Sequence, residues 1–214
     1  MKTNWAEENL QTIRTLMERS AVYRRALAPI MIFAGVLGSV AAVIGLFFHL
    51  GATLAFGLLW LATASVVVIG AFVITRQQAL KDKEIFWSAP TRRVAQALLP
   101  PLIAGMCVGV LMTLYTPGAR SGINSIMVLL WLFFYGCALH SAGFFMPRGI
   151  RLFGWIYIIL ACGCSFLIFG ELKVTFSIFY SSDNANWLMG FFFGVLHLAY
   201  GAYLFLTEKK NPDA

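Results

Sequence analysis

The chain has 214 residues, of which 60% are hydrophobic and only 12% charged, with a mean hydropathy of +0.79. So little polar surface excludes a water-soluble domain and points to a membrane protein. The formal net charge of +7 would suit nucleic acid only if the basic residues clustered on a water-exposed domain. They fall between apolar segments instead, so nucleic acid is excluded as a partner and the lipid bilayer is the expected one.

Residues 5–25, "WAEENLQTIRTLMERSAVYRR", read as an amphipathic helix with Leu10, Ile13, Leu16 and Met17 on one face. Arg14 and Glu18 stand four apart on the opposite face and can pair. Arg14, Arg19, Arg24 and Arg25 make this segment basic enough to lie on anionic lipid or to dock a cytoplasmic protein partner. The expected organisation is therefore a cytoplasmic helix or tail over 1–25, a transmembrane domain over 26–206 and a cytoplasmic tail over 207–214.

A hydrocarbon core of about 30 Å needs roughly 20 apolar residues of helix. Six segments qualify, near 26–48, 54–75, 98–115, 123–146, 152–170 and 187–206. None shows the short alternation of a β-barrel strand. The expected fold is an all-α polytopic bundle of six transmembrane helices, arranged as three hairpins that turn on the outside. The first span is full length behind a charged tail, so it reads as an insertion signal that is retained. Within the longest connection, "RQQALKDKEIFWSAPTRRVAQALLPP", Ser88 and Pro90 are helix-start signals, and Pro100 and Pro101 imply a kink or offset start at the entry of the third span. Arg92 and Arg93 in this loop are expected to face anionic headgroups.

Orientation follows from the Lys and Arg residues. Of the 16, all but Arg120 and Lys173 fall in the N-terminal tail, the connection after the second span, the turn after the fourth or the C-terminal tail. That bias puts both termini in the cytoplasm, in a bacterial inner membrane. Trp87 and Trp155 fall at the inner boundary by this layout, and Trp60, Trp131 and Trp187 toward the outer one. The dipeptide "WL" recurs at Trp60, Trp131 and Trp187, as it would in a duplicated hairpin.

Chemistry-bearing residues are few. All nine acids lie in tails, loops or at a helix end, whereas ion-coupled transporters bury such groups on their pathway. Of the three histidines, His49 sits at the end of the first span, while His140 and His197 lie about 12 and 18 Å above the inner boundary by helical rise. Axial imidazoles from facing helices can hold a haem, so His140 and His197 are candidate ligands of haem b or a metal. Against this, His197 shares a face with Gly190, Gly194 and Gly201, and His140 with Gly136 and Gly143, as packing histidines at a close helix contact would. Ser141 and His197 follow the helix order of a rhomboid protease, but "ALHSAG" lacks the G-x-S-G motif and stands near the wrong end of its helix, so no catalytic residue is assigned. The four cysteines, Cys107, Cys137, Cys162 and Cys164, all fall mid-span, where a disulfide framework is not expected. "CGC" places Cys162 and Cys164 on different sides of one helix, which makes no metal site.

The segments "FWSAPTRRVAQALLPP", "YGCALHSAGFFMPRGIRLFGW" and "HLAYGAYLFLTEKK" resemble a family of bacterial six-helix inner-membrane proteins of about this length. The resemblance implies location and fold and carries no activity. Three functions stay open: a non-enzymatic sensor, scaffold or accessory subunit acting through a protein partner or a second copy of the chain; a small-solute or lipid transport protein with a neutral pathway; and a haem-binding redox subunit using His140 and His197.

Overall fold

The structure is a computed structural model that describes residues 26–81, 83, 86–116, 122–169 and 182–210. The expected amphipathic helix, with Arg14, Arg19, Arg24 and Arg25, lies outside these residues, as do 117–121 and 170–181 of two expected turns. Every regular element among the described residues is helical, and six helices are long and apolar enough to cross a membrane. They are α1 (Ala26–Phe47), α2 (Thr53–Lys81), α3 (Ala89–Tyr115), α4 (Ile123–Ala142), α5 (Arg148–Phe169) and α6. The last is composite: an α-helical turn pair Ser182–Met189, a π segment Gly190–Val195 and a second α-helix Leu196–Lys210.

Uninterrupted apolar sequence explains why these segments are helices, since a helix satisfies every backbone group within itself. Local signals set the ends. Pro147 cannot continue α4 and precedes the first turn of α5, so α4 stops at Ala142, short of the expected 146. Ser88 and Pro90 do open a helix: α3 begins at Ala89, nine residues before the expected start, and Pro100 and Pro101 lie inside it. Because neither proline has an N–H, the carbonyls of Gln96 and Ala97 lose their helical donors there. Arg92 and Arg93 are exposed on the first turn of this helix.

Helix α4 is the hub, packed on α5 along one side and α3 along the other. Close approach is made by glycines at two seams. Between α4 and α5, a Cβ on Gly154 would stand 2.5 Å from the backbone nitrogen of His140. Between α1 and α6, a Cβ on Gly38 would collide with the carbonyl of Phe193. Phe153 of α5 stacks on Tyr200 of α6 at 4.6 Å, and α2 touches α1 and α3 through Gly70 on Phe33 and Gly57 on Thr113. Large apolar side chains point outward, among them Ile69 at 63% exposure and Ile159 at 62%, the reverse of a protein built for water.

Tryptophans do not all sit at the boundaries where amphipathic rings are expected. Trp87, Trp155 and Trp187 are exposed, but Trp60 is only 3% exposed and belongs to the core. Its indole N–H donates to Asn186 Oδ1 at 3.0 Å, which accounts for its burial: a polar handle inside the bundle has found a partner. The three "WL" positions thus have unlike environments, since Trp131 is half-buried and donates instead to the Gly105 carbonyl at 3.0 Å.

Candidate functional site, an apolar cavity with a tyrosine–histidine wall

Two buried polar constellations stand out against the apolar interior. The first holds the α1–α2 turn. His49 adopts a positive φ of 51°, and the turn leaves the Leu50 and Gly51 carbonyls facing inward. Asn186, fully buried at the start of α6, donates to the Leu50 carbonyl at 3.3 Å while accepting from Trp60. Asn124, at the start of α4, donates to the Gly51 carbonyl at 2.7 Å. These bonds tie four helices at one end, and they leave the Asn124 Oδ1 without a partner.

The second constellation surrounds His197, which is 2% exposed and enclosed by the rings of Phe153, Tyr157 and Phe193. Its Nε2 lies 2.6 Å from the Tyr135 hydroxyl, and its Nδ1 lies 3.1 Å from the Phe192 carbonyl and 3.2 Å from the Tyr157 hydroxyl. The Tyr157 hydroxyl itself donates to the Phe192 carbonyl. That carbonyl belongs to the π segment, whose wider turn opens it to side chains, and single π turns of this kind recur at functional sites. The partners assign the tautomer. A carbonyl only accepts, so Nδ1 carries the proton; Nε2 is then the acceptor, and the Tyr135 O–H donates to it.

His140 is in different company. It packs edge-on against Phe144 and Trp155, beside the Gly154 seam, and its Nδ1 is buried without a partner. The candidate ligands His140 and His197 are therefore not brought face to face. Both nitrogens of His197 are committed to hydrogen bonds, so axial ligation of haem b would require breaking the Tyr135 bond. The residues present do not fit that group, and among the described residues no cluster of three His, Cys, Asp or Glu side chains could hold a metal ion. Ser141 is not among the partners of His197. All four cysteines are free; Cys107 and Cys162 are exposed, and Cys137 and Cys164 are half-buried. The glycines expected to share a face with His197 do make a close contact, but they turn it to α1: Gly194 meets Ser39, and Gly201 meets Ile32. The π segment, Gly190–Val195, lies on the N-terminal side of His197 and changes its angle to Gly190, whereas Gly201 follows in the same α-helical stretch as His197 and keeps the spacing of four.

Tyr135 and His197 also line a cavity of about 160 Å³ that lies between α1, α2, α3, α4 and α6. Its surface is almost wholly apolar, contributed by side chains such as Ala64, Met106, Phe134 and Phe193. The cavity is partly open. Val68 of α2 and Met106 of α3 line it and are also exposed on the outside, which places the opening between those two helices. Compared with known families, with curated proteins and with solved structures, the chain matches none.

Proposed function

We propose that the chain is a multi-pass protein of the bacterial inner membrane that takes an apolar molecule from the bilayer into the cavity through its opening between α2 and α3, and acts as a sensor or accessory subunit through a protein partner. In this reading the six helices form three hairpins with both termini in the cytoplasm, behind a cytoplasmic amphipathic helix. The Lys and Arg distribution supports that orientation.

One observation carries the functional reading: an apolar cavity that opens sideways at the level of exposed Val68 and Met106, where lipid would be the solvent. Pockets for small ligands are concave and mainly apolar, with a few polar groups that fix orientation. A conduit for a polar solute would need polar walls across the bundle, which this cavity lacks. Transport of a lipid-like molecule is the nearer alternative, favoured by the same lateral opening.

The test is purification in mild detergent followed by native mass spectrometry and organic extraction, with Ala64→Leu as the blocked variant. The expected result is an apolar molecule retained by the wild type and lost from the variant. A bare wild-type chain whose unfolding midpoint is indifferent to added apolar compounds would overturn the reading.

A further inference from the structure

The hydrogen bonds of the cavity wall say more than its apolar character does. Each side-chain donor on that wall is already in use. Trp60 Nε1–H is bonded to Asn186 Oδ1, Trp131 Nε1–H to the Gly105 carbonyl, and the Thr63 hydroxyl to the Leu59 carbonyl at 2.8 Å. The Tyr135 hydroxyl donates to His197 Nε2, and His197 Nδ1–H points away toward Phe192. The remaining lining side chains, among them Ala34, Leu61 and Met189, carry no donor, and the backbone N–H groups of the lining helices are spent within the helices. What the wall still offers is acceptor capacity: the unused lone pairs of the Tyr135 phenol oxygen and the Thr63 hydroxyl oxygen.

A wall with acceptors and no free donor discriminates by the sign of the ligand's polar group. A ketone, quinone, ester or carboxylate brings only acceptors and would bury them unmatched, which is costly. A hydroxyl brings a proton that the wall can accept. We infer that the cavity takes a lipid alcohol, an apolar body ended by one hydroxyl, whose O–H donates to the Tyr135 oxygen. The proton order is then ligand O–H to Tyr135, Tyr135 O–H to His197, and His197 N–H to the Phe192 carbonyl, a chain running one way through polarisable links. This inference rests on the apolar-ligand reading above and adds the class of the polar end.

A cavity of about 150 Å³ is enough for a benzene-sized molecule, so the cavity here suits a bicyclic probe seated partly in its open side. The experiment uses 1-indanol, 1-indanone, 1-methoxyindane and indane on the full chain in detergent, at equal mole fraction in the micelle, with affinity read from the shift in unfolding midpoint. The alcohol is expected to bind about five-fold more tightly than the ketone or the ether, the ratio one net hydrogen bond provides. Tyr135→Phe should erase that ratio, and a ratio that survives the substitution overturns Tyr135 as the acceptor; should Tyr135→Phe fold poorly, the comparison of the four compounds on the wild type decides alone. A ketone that binds as well as the alcohol, or better, overturns the inference and leaves the apolar cavity standing. Equal binding of all four compounds does the same. No binding by any of them overturns both the inference and the reading beneath it.

Discussion

The α4–α5 seam and the α2–α3 flank are built from the same kinds of residue and packed in opposite ways. Of the apolar stretch of α4, 56% is buried within the bundle, against 11% for α2 and 17% for α3. At the seam, backbone meets backbone across Gly136, Gly143 and Gly154, so no side chain can yield to a disturbance. On the flank, α2 meets α3 at Gly57 and α1 at Gly70, and space remains between those points. Helix association in lipid depends on close packing and on polar contacts, since apolar side chains gain little by leaving hydrocarbon. On the flank, small side chains such as Ala34 and Ala64 line space that no neighbour fills, and that space is the cavity.

The strongest way to break this contrast is to put a side chain into the seam. Gly154→Val is expected to cost about 3 kcal/mol or more, because the Cβ meets the His140 backbone, which cannot move aside. Unfolding in detergent should show a lowered midpoint and, in the extreme, no folded protein. Next comes the bond that ties α2 to the rest. Asn186→Leu leaves the Trp60 indole N–H and the Leu50 carbonyl buried without partners, for an expected loss of about 2 kcal/mol. The intrinsic fluorescence of Trp60 should change with it.

Smaller effects belong to the flank. Tyr135→Phe removes one hydroxyl from a half-buried site and is expected to cost about 1 kcal/mol, read as a modest drop in midpoint. Ala64→Leu fills space and should move stability by no more than about 1 kcal/mol, in the stabilising direction. If Ala64→Leu destabilised the protein as much as Gly154→Val, the flank would be as tightly packed as the seam and the contrast would collapse.

Much of the fold is legible in the sequence because length and hydropathy are additive over a window. The expected first span, 26–48, differs by one residue from Ala26–Phe47. The start of α3 is misplaced by sequence because Pro100 and Pro101 read as an entry, although a long helix can carry prolines when packed neighbours support it. Trp60 reads as a boundary residue because its partner, Asn186, is distant in sequence. At the site, His197 draws notice as an imidazole in an apolar run, but Tyr135 and Tyr157 do not, since aromatic residues there read as filler. Their hydroxyls at mid-span, far from the interface where tyrosine is usual, are the available signal. Nothing in composition or periodicity marks the π segment, because one extra residue in a helical turn changes no residue type.

The contact of Gly38 with Phe193 has a consequence in time. The first span and the last are neighbours, yet about 150 residues of synthesis separate them, on the order of ten seconds at roughly 5–20 residues per second. Throughout that interval α1 sits in the membrane with its glycine face uncovered, and the cavity lacks the wall that carries His197. Anything that protects α1 during assembly, whether lipid, an insertion factor or a second nascent chain, has to leave before α6 can take its place.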